Sequence, residues 1–203
     1  HERGDGLLGA PIDPSAFRYD LAAEWNEKLP ELWRRFLINL DRDLNSPEVK
    51  RYDISFAKVV EVQRRGLWHI HAIIRLDPRT ATHLLQQQMA EAIQRAAAAT
   101  AAGGHRFGKQ LDVSFARQRP PRRRKGESQS DYEDRVRRSD TVTGFSRYLA
   151  KYATKGPEHA IAGGGASPAL EKHHERLRQA GRRRARCRMR AQEMAALRRA
   201  GAA

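Results

Sequence analysis

Cysteine is nearly missing from this chain, with Cys187 its single example. One thiol can neither close an intramolecular disulfide nor build a cysteine-based zinc cluster, so a reducing, cytoplasmic compartment is expected. Long apolar runs are missing too. None approaches the roughly 18 residues of a membrane-spanning helix, so no membrane partner is expected. The opening HERGDGLLGAP has no signal-peptide shape and no initiator Met, which suggests a fragment or a processed product. No internal repeat is present. No Walker-type phosphate loop is present either.

Positive charge is what the chain has in excess. Its 203 residues carry 39 Lys and Arg against 24 Asp and Glu, a formal net charge of +15. That imbalance favours a polyanionic partner, nucleic acid before an anionic membrane surface. The length suits one domain, or one domain plus an appendage.

Residues 1–20 are rich in Gly, Pro and Asp and read as an irregular lead-in. From 21 to 44, Leu21, Trp25, Leu29, Leu32, Trp33, Phe36, Leu37 and Leu40 recur at spacings of three and four. That predicts an amphipathic helix, with Pro30 a point where it could break. YDISFAKVVEVQ (52–63) and LWHIHAIIRL (67–76) read as strands joined by the loop Arg64-Arg65-Gly66, with glycine in the left-handed position. The Ala-, Gln- and Leu-rich run from 79 to 102 predicts a helix ended by Gly103-Gly104. KQLDVSFA (109–116) suggests a third strand, and 117–140 a mobile basic loop. VTGFSRYLAKYATK (142–155) reads as a helix. A linker and a basic, helix-prone tail fill 157–203. The order helix, two strands, helix, strand, loop, helix is an α+β pattern around an antiparallel sheet.

WHIHAII poses the chemical question. His69 and His71 alternate with Ile70 on a strand, so both point to one face. A lone strand histidine is commonly a half-exposed surface residue; two on one face also suit a metal. If Arg64-Arg65-Gly66 is the loop, Gln63 opposes Leu67, and Glu61 lies directly opposite His69, its Cβ about 5 Å away. Glu61, His69 and His71 would then gather a carboxylate and two imidazoles, with Gln63 as an alternate ligand. Such donors suit Mn²⁺, Mg²⁺ or Zn²⁺, and three ligands leave open positions for catalysis. Glu61 could instead simply neutralise Lys58 and Arg64.

YLAKYATK adds a second constellation. Tyr148, Lys151, Tyr152 and Lys155 fall within about 100° of a helix circumference. Packed tyrosines with lysines reaching to solvent would look the same. Beside a metal cluster, however, a phenol can act as covalent nucleophile and lysines can neutralise a phosphodiester. Arg64 and Arg65 at the loop, Arg122, Arg123, Arg124 and Lys125, and Arg182, Arg183 and Arg184 in the tail are candidates for contacting DNA phosphates. A solvated charged run is the plainer reading of the last two groups.

WHIHAII resembles the His-hydrophobe-His motif of the HUH endonucleases, and YLAKYATK their two-tyrosine motif. AAEWNEKLPELWRRF, SFAKVVEVQRRGLWHIHAIIRL, FGKQLDVS and YLAKYATK further resemble replication initiators of actinobacterial rolling-circle plasmids and integrative elements. The likeness runs from about Leu21 to Lys155, apart from the basic loop.

This resemblance implies an α+β fold with a central antiparallel sheet flanked by helices. It implies a catalytic domain over 21–156, metal ligands Glu61, His69 and His71, nucleophiles Tyr148 and Tyr152, and assisting Lys151 and Lys155. The implied activity is Mn²⁺- or Mg²⁺-dependent nicking and rejoining of single-stranded or hairpin origin DNA through a 5′-phosphotyrosine. A two-tyrosine transposase or relaxase-type strand transferase, and a non-catalytic nucleic-acid-binding remnant, are the alternatives. The family's early strand motif, Phe-hydrophobe-Thr-Leu-Thr, is not found, nor is the cysteine pair of some relatives. The Arg-rich stretch after Gly165 does not resemble the family's usual C-terminal part.

Overall fold

A computed structural model describes residues 7–45, 50–79, 85–108, 111–115, 122–139, 147, 149–151 and 167–200. The chain divides into two compact units, His1–Pro30 with Glu61–His69 and Lys155–Ala203, and Glu31–Val60 with Ile70–Thr154. The fold is α+β, as the element order predicts. Among the described residues its strands form two small two-stranded sheets.

Helix α1 spans Tyr19–Leu44 and runs unbroken through Pro30. A proline inside a helix costs about 3 kcal/mol. Around it Leu29, Leu32, Trp33 and Phe36 are all buried, and burying such a side chain contributes about 1.5–3 kcal/mol, so together they outweigh the proline. Beyond the helix end, the Asn45 side chain accepts the backbone N–H groups of Arg51 (2.8 Å) and Tyr52 (2.9 Å) and donates to the Tyr52 carbonyl (3.1 Å). This ties the end of α1 to the start of strand β1.

Strands β1 (Tyr52–Val62) and β2 (Trp68–Pro78) pair as a hairpin. At one end the Gln63 N–H donates to the Leu67 carbonyl (2.9 Å), and at the other the Arg79 N–H donates to the Arg51 carbonyl (2.8 Å). Both bonds fit a single register, which sets Glu61 opposite His69. Even-numbered residues face the core. Tyr52, Ile54, Ile70, Ile74 and Leu76 pack with Trp33, Phe36, Leu40 and Leu44 of α1 and with Ala92, Ala96 and Ala97 of helix α2, Gln86–Ala99. Odd-numbered residues, the two histidines among them, form the other face.

Helix α2 is shorter than the 79–102 expected. At its end Thr100, fully buried, donates its hydroxyl to the Ala96 carbonyl and receives Asn39 Nδ2. Gly103 and Gly104 do not cap it. Both hold positive φ and turn a small hairpin, β3 (Ala101–Ala102) against β4 (His105–Arg106).

Two expectations fail downstream. Residues 111–115, part of the stretch read as a third strand, are irregular. Strand-prone residues become a strand only by pairing, and among the described residues none pairs with these. The supposed mobile loop contains helix α3, Gln129–Ser139. Ser128 caps it, accepting the Asp131 N–H (3.0 Å) and donating to the Asp131 carboxylate (2.6 Å). Glu127 then anchors Arg135 through two bonds of 2.7 Å. That pairing, with the Arg124 N–H, holds the Glu127 carboxyl down at about 2.

Helix α4, Pro168–Ala200, is 33 residues long. Ser167 and Pro168 start it with the residue types that favour helix entry. Within its own unit, Leu177 and Ala180 of α4 meet Ala22 and Ala23 of α1, with Phe17, Tyr19 and Leu67 around them. Small residues on both helices permit this close approach.

Candidate metal centre on the hairpin

The β1–β2 turn is held with unusual completeness. Gly66 adopts φ +76°, the left-handed conformation a glycine reaches without strain. Its N–H returns to the Gln63 carbonyl at 2.7 Å. All three turn carbonyls are occupied by side chains from the flanking helices. His174 Nε2 meets the Arg64 carbonyl at 2.6 Å, His173 Nε2 meets that of Arg65 at 3.0 Å, and Asn26 Nδ2 donates to that of Gly66 at 2.9 Å. A carbonyl only accepts, so both imidazoles present N–H there. Tyr19 OH lies 3.2 Å from the other nitrogen of His173. Asn26 also accepts the Trp68 N–H at 2.9 Å. Both histidines are buried, and burial pushes His174 below its ordinary value, against the opposing pull of the Arg64 carbonyl.

The candidate metal donors lie beside the turn. Ligand atoms of Glu61, His69 and His71 all lie within 4.8 Å of one another. Glu61 and His71 are half-buried and His69 is exposed, so the cluster has both a wall and an opening. One carboxylate and two imidazoles fit a divalent ion with open coordination positions. Gln63, the alternate ligand, stands alongside. Its Nε2 is 3.3 Å from His69 Nδ1, while the oxygen that would ligate accepts from Arg65 Nε at 2.8 Å. Gln63 thus buttresses His69 in this arrangement.

The other candidates fare unevenly. Lys151 is helical and exposed, and its neighbour Leu149 is buried. Tyr148, Tyr152 and Lys155 lie outside the described residues. Arg65 is exposed; Arg64 is half-buried, and its Nε is buried without a hydrogen-bond partner among the described residues. Arg122, Arg123, Arg124 and Lys125 are exposed, with the Arg123 guanidinium donating to the Glu127 carbonyl. Arg184 is committed to Glu24 (3.1 Å) and Glu27 (3.2 Å), and Arg183 approaches Asp20 at 3.5 Å. The supports His173, His174 and Asn26 are not evident from sequence patterns. The adjacent pair HH in an otherwise Arg- and Glu-rich segment is the one available signal.

A family model described as "Replication initiator protein, pSAM2" matches residues 1–202. The chain belongs to this replication initiator family. A replication initiator protein of Streptomyces ambofaciens is 32% identical over 165 residues, covering 75% of this chain and 35% of that protein. The chain thus spans about a third of the length of that curated relative. No solved structure matches. The family match runs through the Arg-rich segment after Gly165. No helix among the described residues is long and apolar enough to cross a membrane.

Proposed function

We propose that this replication initiator is a two-tyrosine nuclease of the HUH type that nicks and rejoins single-stranded or hairpin origin DNA. The observation that carries the reading is the convergence of Glu61, His69 and His71 on one hairpin face. Membership of a replication initiator family supplies the DNA substrate. A host helicase would open the duplex.

A bound Mn²⁺ or Mg²⁺ would polarise the scissile phosphodiester and offset charge developing on its oxygens. Glu61, His69 and His71 would hold that ion. The phenol oxygen of Tyr148 or Tyr152 attacks phosphorus, and the bond to the 3′ oxygen breaks. The strand is left as a 5′-phosphotyrosine and a free 3′-hydroxyl. A phenol has a reference pKa near 10, so the oxygen must lose its proton as it attacks, and the leaving 3′ oxygen must gain one. Lys151 and Lys155, four residues apart in sequence, would favour the phenolate and neutralise phosphate oxygens. The ester conserves the energy of the broken bond, so a 3′-hydroxyl can reverse the reaction without ATP. The second tyrosine provides a second transfer when a round of replication ends.

The test is a covalent one. Protein incubated with single-stranded origin DNA and Mn²⁺ should give an adduct that survives denaturation. Tyr148→Phe with Tyr152→Phe should bind DNA and form no adduct, and His69→Ala with His71→Ala should form none at any Mn²⁺ concentration. An adduct from the double Phe variant would mean that both tyrosines are structural. No adduct from the unmodified protein would favour a binding remnant.

A further inference from the structure

From 176 to 192, helix α4 carries eight arginines and no acidic residue. These arginines occupy two sides. At 100° per residue, Leu177, Ala180, Arg184 and Arg188 share one face. Leu177 and Ala180 are buried there, and Arg184 and Arg188 pair with the acids of α1, Arg184 with Glu24 and Glu27, and Arg188 with Glu27. Directly opposite stand Arg182, Arg186 and Arg190, all exposed. Arg182 has only a 3.6 Å approach to Glu175, and Arg186 and Arg190 have no ion pair among the described residues. One face of α4 therefore holds the fold together, while the other presents uncompensated charge.

We propose that the Arg182, Arg186 and Arg190 face of α4 docks on the sugar–phosphate backbone of duplex DNA. This rests on the DNA-binding part of the proposed function and not on its nicking chemistry. The three guanidinium groups recur every four residues, a rise of about 6 Å. A duplex carries one phosphate per about 1.7 Å of axis, both strands counted, so a face about 12 Å long lies within reach of several phosphates. The face carries no aromatic side chain, and base stacking is what a single-stranded site requires. Backbone contact of this kind positions the protein without reading sequence. It would leave the hairpin site to engage the single strand.

The experiment is fluorescence anisotropy of the full chain on a labelled duplex of arbitrary sequence across a salt series. Arg182→Gln with Arg186→Gln and Arg190→Gln should lower the slope of log affinity against log salt by about 0.9 for each phosphate no longer neutralised, close to 3 in all. Arg184→Gln with Arg188→Gln removes two positive charges against three. It should leave that slope within one unit while lowering the melting temperature. On a single strand of equal length, the triple variant should also keep its slope within one unit. An unchanged duplex slope in the triple variant would overturn the proposal. So would an equal fall in the paired variant, or a fall confined to the single strand. Adduct formation by the unmodified chain is read separately: its absence would count against the nuclease and not against this surface.

Discussion

Replacing Gly66 with alanine tests whether α4 truly seats on the hairpin turn. Two costs add there. A left-handed backbone costs an alanine about 1–2 kcal/mol. The new Cβ would also lie 2.4 Å from Leu177 Cδ2, well inside contact distance. Leu177 is buried, so relieving that overlap means repacking, typically about 1–3 kcal/mol. Gly66→Ala should therefore lose about 2–5 kcal/mol, a fall of about 4–20 °C in melting temperature for a chain of this size. Leu177→Ala alone should lose about 2–4 kcal/mol by leaving a cavity. Combined, the two changes should cost less than their sum by about 1–3 kcal/mol, because the added methyl enters the space that Leu177 vacates. The backbone cost stays, so recovery is partial. Urea unfolding followed by tryptophan fluorescence measures all four corners of this cycle. Strict additivity, or a Gly66→Ala protein as stable as the parent, would show that α4 does not press on the turn, and the support assigned to the site would fall with it.

His174→Ala should strip the Arg64 carbonyl of its donor and cost about 1–3 kcal/mol, with Mn²⁺ affinity falling in parallel; His174→Gln, which retains an N–H, should recover part of both in a calorimetric titration. Burial lowers the His174 pKa in the folded state, so the unfolded chain takes up protons first as pH falls. Stability from this group should be complete above about 6.5 and decline on acidification below it, and Gln at this position should flatten that decline in melting curves between pH 7 and 5. For Glu127, held at about 2 by Arg135, the contribution to α3 should be complete above the ordinary carboxylate range and disappear only as pH falls towards 2. Carbon-detected NMR titration of its carboxyl reads this directly, and a midpoint near 4.5 would refute the pairing.

Local rules make the candidate site legible in the sequence. The turn needs a glycine in the left-handed conformation after two residues, Gly66 supplies it, and pairing then fixes Glu61 opposite His69. The core face of the hairpin follows from simple alternation. What local rules miss involves partners distant in the chain. Asn26 reads as one polar residue in an amphipathic helix, yet it bonds to both Gly66 and Trp68, about 40 residues away. The stretch 109–116 has a strand's composition, but residues 111–115 find no neighbour among those described, and composition cannot supply one. Helix α3 is the opposite case, because SQSD carries its own capping signal, masked by the charge around it.

The tail is the hardest part to read, and the reason is physical. An arginine-rich helix shows almost no apolar stripe, because its contact with α1 relies on alanines and on ion pairs to Glu24 and Glu27, which hydrophobic periodicity does not register. Yet an isolated two-stranded hairpin is marginally stable in water. Tyr52, Ile54, Ile70, Ile74 and Leu76 of its even face are covered by aromatic and aliphatic residues. Its tip, where Glu61 and His69 sit, would otherwise expose three turn carbonyls and be free to fray. His173, His174 and Asn26 bond those carbonyls from two helices, and Leu177 fills the space beside the one residue that has no side chain. Metal ligands must be held to within a fraction of an ångström to select and retain an ion. The arginine-rich segment therefore braces the turn beside two of the three candidate metal donors, Glu61 and His69.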